Sequence, residues 1–577
     1  MTPQISDPLP VTAAHKGKWW IAAGIFLVTL AVYFLSSAGR IDIIDGQARY
    51  EVAYRWIVEG RPVLRDPWIG FMGRPGRHGL RYSSYGAPAS VFAMPLVRVG
   101  LMHDGPAHET SRFLFSLTSA IFGAGIAFIL FLFYLDLGLP SSHALAWTLV
   151  STFATLLWPA STSTFDNAQH AFFVILAAYL GVVAARRNSK ILAFAAGLAG
   201  AVLIAYQEYF LLLIPAIALC TVQWSVSQQR VDVPNGSFRI FSAIRDDLKD
   251  LMSLVRAALS EPGNARRSLT RFLICFGTAT VIGVLLCMAY NHLRFGSIWQ
   301  DGKKPLTPFP PLFGNPISGL GTLLLSPGKS IFLYSPPIIL GILGLRYLRS
   351  ARHEIAVATA AASAILVAFI SFIAFAGGDW CWGPRYLVSV LPLWSLAFPF
   401  VLGHKLKRES VVAIVAVGVL VQVLALSVEN QRFFFERGLR DFFWAEDPWF
   451  YFKHSALFAR IGEVLSLSHP LPATARFFNS VPKPDWTTYS ILGPPPNVPR
   501  ALAPQWMQFF KIYYLPRPWP LWMSWVKPAL RPINLQAWVT ALFSLAALGS
   551  GFIYHGIRSR ETQDVRQYKF EQETECR

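Results

Sequence analysis

The sequence predicts an all-α, polytopic membrane protein: a bundle of about twelve transmembrane helices with long outer loops carrying interfacial helices. Three observations predict it. Apolar residues make up 54% of the 577 and charged residues only 14%, with mean hydropathy +0.42. A water-soluble chain carries about 25% charged residues, so this one lacks the polar surface to cover itself in water. Apolar runs of roughly spanning length follow one another, and many basic residues sit in short connectors between them, where positive charge retains a loop in the cytoplasm. The net charge of +19 therefore reads as a topology signal with an attraction to anionic lipid headgroups, and excludes a nucleic-acid partner.

The expected spans are 19–36, 113–134, 143–160, 170–185, 191–205, 209–224, 272–290, 330–345, 355–375, 386–402, 411–426 and 535–554. The first follows Lys16 and Lys18 without a small-residue cleavage site, as in a retained signal anchor. The stretch 191–224 reads as two helices with Gln207 and Glu208 at their outer turn. Only that parity puts the basic connectors 186–190, 346–353 and 404–408 on the side of both termini and of 228–271. Both termini are then cytoplasmic. Outside remain 37–112, 161–169, 291–329, 377–385 and 427–534. The last is rich in Pro, Phe and Trp and reads as a layer on the membrane surface. The chain thus divides into a transmembrane module, 1–426, an extracytoplasmic aromatic segment, 427–534, and a last span with a cytoplasmic tail, 535–577. Cys220, Cys275, Cys287, Cys381 and Cys576 have no paired spacing, so neither a disulfide framework nor a zinc site is expected.

Ionisable residues avoid the middle of these spans; His170, Glu208, Arg271 and Lys329 all fall at span ends. An ion-coupled transporter places such groups at mid-depth. The polar chemistry gathers instead in four outer stretches. They are Ile41-Asp42-Ile43-Ile44-Asp45-Gly46-Gln47-Ala48-Arg49-Tyr50-Glu51 with 81–88, then Phe165-Asp166-Asn167, then 290–296 with 325–329, and 377–386. His103 and His108 do not share a helix face well and read as surface residues.

These stretches carry a resemblance. Asp45 through Tyr50, then Gly60-Arg61-Pro62, Tyr82, Pro88, Pro95 and Gly100, resembles the first outer loop of GT-C glycosyltransferases of the protein mannosyltransferase and lipid A aminoarabinose transferase kind. Tyr290-Asn291-x-x-Arg294-Phe295-Gly296, Ser326-Pro327-Gly328-Lys329 and Trp382-Gly383-Pro384-Arg385-Tyr386 resemble blocks of related bacterial membrane proteins. The similarity runs in patches over residues 19–402, and the C-terminal third matches nothing. Order, spacing and common sidedness carry it rather than any single motif.

The resemblance implies a GT-C-like bundle and an inverting transfer of a sugar from a polyprenyl phosphate to an acceptor glycan, lipid or protein. The site would face the periplasm or exterior of a cell (inner) membrane. The catalytic carboxylate of the family matches Asp45; a second acid often follows it, but Gly46 stands here, and whether Asp42 or Glu51 takes its place is open. A base within hydrogen-bond reach is what makes an acceptor hydroxyl nucleophilic. Cations must meet the leaving phosphate, and Arg385, Arg294 and Lys329 are the candidates. Tyr82, Tyr85, Asp166, Glu208, Asn291, Asp379 and Trp380 are the candidate substrate-lining residues, although Trp380 and Trp382 equally fit an interfacial aromatic belt. No cofactor is called for; a divalent metal at Asp166 or Glu208 is one option. The competing readings are a lipid or polysaccharide transporter or flippase, and an oligosaccharide polymerase or ligase using a pyrophosphate-linked donor. A transporter would show pseudo-symmetric halves and mid-depth polar residues, and the sequence shows neither.

Overall fold

The structure, a computed structural model, describes residues 16–65, 73–105, 108–222, 264–303, 313–378, 380–401, 406–437, 448–466, 516–524, 528 and 531–575. Among these, seven helices are long and apolar enough to cross a membrane: Gly17–Ser36, Glu109–Asp136, Asn167–Arg187, Thr270–Phe295, His353–Ser371, Arg408–Ser427 and Leu535–Ser559. The chain is an α-helical integral membrane protein. Its sheet content among the described residues is one hairpin, Gly73–Pro75 against Arg81–Ser83.

Four expected spans take another form, whereas 191–205 is the single helix Lys190–Tyr206. Stretch 143–160 is Ser141–Phe153 followed by Leu157–Ser161. Stretch 209–224 begins as a 3-10 turn, Glu208–Leu213, before Ile214–Val222. Stretch 330–345 breaks between Ile331–Tyr334 and Ile338–Ala351, and 386–402 breaks into Arg385–Val390, Leu391–Ser395 and Phe398–Val401. Proline explains two of these breaks. Pro336 and Pro337 remove two backbone donors, and Ser335 ahead of them is pushed out of the helical region, to φ −146 and ψ 67. Pro392 and Pro399 interrupt the second. Broken backbone is tolerated at membrane depth where neighbouring protein covers it, and Leu387, Leu393, Ala397 and Phe398 are buried.

The chain does reverse between Lys190–Tyr206 and Ile214–Val222. A Cβ on Gly200 would lie 2.9 Å from Ile214 Cδ1, whereas fourteen residues of straight helix would hold them about 21 Å apart. The preceding turn is built locally: Asn188 takes the left-handed conformation (φ 50), and the Ser189 hydroxyl caps the next helix by accepting from the Leu192 amide at 3.4 Å.

The first and last helices pack antiparallel on small residues. A Cβ on Gly556 would meet the Gly17 carbonyl at 2.7 Å, and one on Gly549 would meet the Gly24 carbonyl at 2.8 Å. Close backbone approach is what holds helices together where lipid removes the hydrophobic drive. Gly549→Leu is therefore expected to cost about 1–3 kcal/mol, read as a lower thermal midpoint in detergent, with Gly551→Leu, which meets open space, as the neutral control.

The described parts of 427–534 are keyed into the bundle. Val428 bridges Pro516, and the Arg517 amide donates to the Ser427 carbonyl at 3.1 Å. Trp519 and Trp522 are fully buried, their indole N–H groups donating to the carbonyls of Phe34 (2.6 Å) and Ala38 (2.8 Å).

Candidate functional site

Helix Ile44–Glu59 lies just after the first span and carries Asp45 in its first turn. Arg49 follows four residues later on the same face. The Arg385 Nη1 donates to Asp45 Oδ2 at 3.3 Å across 340 residues of sequence. Side-chain exposure is 13% for Asp45 and 19% for Arg385, so the pair stays within reach of a ligand. Tyr85 joins it, with its hydroxyl against Asp45 and its ring under the Arg49 guanidinium, 4.4 Å to the centroid. Arg49 Nη2 pairs with Asp166 Oδ2 at 2.9 Å, and His170 Nε2 approaches the same oxygen at 3.4 Å. Two aspartates and two arginines thus form one cluster. Arg49 Nε and Nη1 and Arg385 Nε are buried without a partner among the described residues. Unmet buried donors each cost about 1–3 kcal/mol, and an anion would satisfy them.

The other nearby acids are committed. Asp42 accepts from the Ser163 hydroxyl (2.7 Å), the Thr164 amide (2.8 Å), the Thr164 hydroxyl and Arg517 Nη2 (3.4 Å). Glu51 accepts from the Arg65 amide at 2.7 Å and faces Arg55 at 3.5 Å. Neither stands in for a second acid beside Asp45. Gly46 has its own reason: a Cβ there would press on Thr164 Cβ at 2.7 Å, so no longer side chain fits without moving the 162–166 loop.

Burial pushes the Asp166 carboxyl up, but Arg49 first, then His170 and Arg385, outweigh it and hold it well below the usual carboxylate range. A depressed carboxyl stabilises the fold above its unfolded value, about 3.9, and loses that stabilisation as pH falls towards the folded value. Asp166→Asn is thus expected to lower the thermal midpoint near neutral pH, and the gap from wild type should begin to narrow below about pH 4 and shrink further as the pH falls. Burial, then Asp45, raises the Tyr85 phenol well above its ordinary value, so Tyr85 remains a neutral donor.

Arg294 and Lys329, expected at the phosphate, are engaged by the scaffold, although Arg294 Nε is buried without a hydrogen-bond partner among the described residues. Arg294 donates to the carbonyls of Ser83 and Tyr85 (3.0 Å for the latter) and to Asn291 Oδ1 at 2.6 Å, and lies over the rings of Tyr290 and Phe295. Lys329 Nζ donates to the Cys381 carbonyl at 2.7 Å and reaches the Gly383 carbonyl at 3.4 Å, with the Trp449 ring 4.6 Å away. Each holds one of the loops that carry Tyr85 and Arg385. Direct charge–charge contact with Asp45 falls to Arg385 alone of the three.

The remaining expected residues scatter around this centre. Tyr82 is buried in the hairpin, edge-on to Phe295 at 6.1 Å. Asn291 serves Arg294, and Glu208 pairs with Lys303. Trp380 stacks on Phe434 at 5.4 Å. Asp379 lies outside the described residues. Among the described residues no three His, Cys, Asp or Glu side chains gather as a metal site; Asp166 and Glu208 are held by cations instead.

The sequence reading missed Arg49, whose four-residue offset from Asp45 was a usable signal. It also missed a buried network in which Arg517 reaches Asp42 (3.4 Å) and Glu429 (3.6 Å) while Arg40 reaches Glu429 (3.4 Å). No local pattern marks those residues. A cleft of about 430 Å³, counting its open mouth, lies against this network and is lined by Asp42, Glu429 and Arg385 among others.

The cluster sits at one end of the bundle. Asp166 precedes helix Asn167–Arg187, whose length of 21 residues is about 30 Å. At its far end Arg186 pairs with Asp136 at 3.2 Å, and Arg352 donates to the Asp136 carbonyl at 3.3 Å.

No family model and no curated protein matches the sequence. Solved structures do. ArnT from Cupriavidus metallidurans, in the apo state and bound to undecaprenyl phosphate, aligns at 13% identity and TM-score 0.44, over 92% of this chain and 76% and 77% of those chains respectively. The archaeal oligosaccharyltransferase AglB from Archaeoglobus fulgidus, in complex with an inhibitory peptide and a dolichol-phosphate, aligns at 11% identity and TM-score 0.38, over 73% of this chain and 58% of that one. Both are members of the GT-C superfamily.

Proposed function

We propose that the protein is an inverting glycosyltransferase that moves a sugar from a polyprenyl phosphate to an acceptor on the outer face of a cell membrane. The observation that carries this reading is the accessible Asp45 carboxylate paired with Arg385, among neighbouring acids already engaged by cations or amides. Asp45 accepts the acceptor's proton as the acceptor oxygen bonds to the anomeric carbon and the bond from that carbon to the phosphate oxygen breaks, releasing the polyprenyl phosphate. Arg385 leaves its partner for the phosphate oxygens, and the unmet donors of Arg49 add to the same anion-binding face. The Tyr85 hydroxyl orients Asp45. The lipid tail stays in the bilayer, so the phosphate lies at headgroup depth, where helix ends present these groups.

Sidedness follows the same reading. Arg186 and Arg352 mark the end of the bundle opposite the cluster, and basic connectors belong in the cytoplasm. The cluster then faces the periplasm or exterior, with both termini cytoplasmic. On this reading residues 1–426 are the catalytic module and 427–534 an outer segment whose stretch 516–524 buttresses it; the last span and tail are 535–577.

The test is sugar transfer by purified protein in lipid vesicles with a panel of undecaprenyl-phosphate sugars. The expected result is turnover with one donor and inverted anomeric configuration in the product. A protein that transfers none of them, yet moves labelled undecaprenyl-phosphate sugar across the bilayer, would be a flippase.

A further inference from the structure

The cleft beside Arg385 is lined by two kinds of group. One is apolar, from Leu156, Pro159, Ala160 and Val388. The other carries polar atoms of a particular kind. Its carboxylates, Asp42 and Glu429, are already matched by Arg517 and Arg40. Apart from Arg385, what stays available is neutral. The Asn167 side chain has no hydrogen-bond partner among the described residues. Asn430 gives its Oδ1 to Arg460 at 2.7 Å and keeps its Nδ2 donors, while Gln431 gives its Nε2 to the Trp380 carbonyl at 2.9 Å and keeps its Oε1. The Trp382 indole N–H is buried, in a residue 5% exposed, without a partner among the described residues.

We infer that this cleft is a subsite for a neutral sugar ring, which deepens the transfer reading above and rests on it. A pyranose has hydroxyls around its edge and C–H groups on its faces. Amide donors and acceptors with an indole N–H suit the first, and apolar lining side chains suit the second. A cationic headgroup would need a free carboxylate, and the cleft's carboxylates are paired. Arg385 lines the cleft and also contacts Asp45, so a ring seated here lies beside the phosphate-binding and proton-accepting groups. The ring belongs either to the donor or to the acceptor glycan.

Asn167→Ala is the cleanest probe, because no protein partner is left unsatisfied. Asn430→Asp is the second: it keeps the oxygen that Arg460 needs and removes the donors. Both are made in full-length protein in nanodiscs, and binding of undecaprenyl phosphate is compared with binding of the undecaprenyl-phosphate sugar preferred by wild type. Each variant is expected to bind the sugar-bearing lipid about five- to tenfold more weakly, with bare undecaprenyl phosphate unchanged. Unchanged binding of both lipids with a matching rise in acceptor KM would place the acceptor's ring in the cleft and equally support a sugar subsite. If both lipids weaken together, or neither binding nor acceptor KM moves, the subsite is overturned. Wild type that never prefers a sugar-bearing lipid over the bare one would instead sink the transfer reading itself.

Discussion

Asp45→Asn is expected to lower turnover by about 10²–10⁴-fold, the usual contribution of a positioned general base, while donor binding stays within a few-fold of wild type. Asparagine keeps the shape and still offers an oxygen to Arg385, so the fold around helix Ile44–Glu59 has no reason to change. What disappears is the capacity to take a proton. The alternatives are controlled by the site itself: Asp42 accepts four hydrogen bonds or ion contacts and Asp166 is held by Arg49 and His170, so neither is poised to substitute. Single-turnover kinetics with saturating donor separate the chemical step from binding. Loss of donor affinity with kcat preserved would assign Asp45 to binding rather than to proton transfer.

The second large effect is on stability. Arg517→Ala is expected to destabilise the protein by about 3–5 kcal/mol, because removing one member of a buried ionic network leaves its partners uncompensated. Arg517 is 1% exposed and faces Asp42 and Glu429, at 5% and 1%. It also donates to the Thr162 carbonyl at 3.0 Å, so three stretches distant in sequence lose their common tie. Burial, only partly offset by Arg517 and Arg40, already raises the Glu429 carboxyl above its ordinary value. The variant should extract poorly and melt early in detergent, with Arg517→Lys recovering part of the loss. A midpoint unchanged by Arg517→Ala would mean the network contributes nothing.

How far the sequence could be read depended on whether a signal was local. Helices with uninterrupted apolar runs, such as Arg408–Ser427, were legible because lipid demands about twenty apolar residues in a row. The broken helices around Pro336 and Pro392 were not: hydropathy averages over a break, and only the covering protein reveals whether the freed backbone groups are met. Asp45 and Arg385 were singled out separately in the sequence, and the fold brings them to 3.3 Å. Arg294 and Lys329 looked like ligands for phosphate because nothing in a sequence says how many donors a cation has left. Lys329 donates to backbone carbonyls, and Arg294 donates to two of them and to Asn291, with its Nε left unmet among the described residues. Arg517 was invisible because its partners, Asp42 and Glu429, lie 475 and 88 residues away.

The account rests on the opposition of Asp45 and Arg385 at one end of the bundle, and short-range cross-linking tests it most directly. Asp45→Cys and Arg385→Cys, installed together and treated in membranes with a short thiol-to-thiol reagent, should join in high yield. The link would show as a reductant-sensitive mobility change missing from either single variant. If no link forms while a Trp20→Cys and Phe552→Cys pair, whose native rings lie 5.0 Å apart, cross-links fully in the same membranes, the two groups do not share a site.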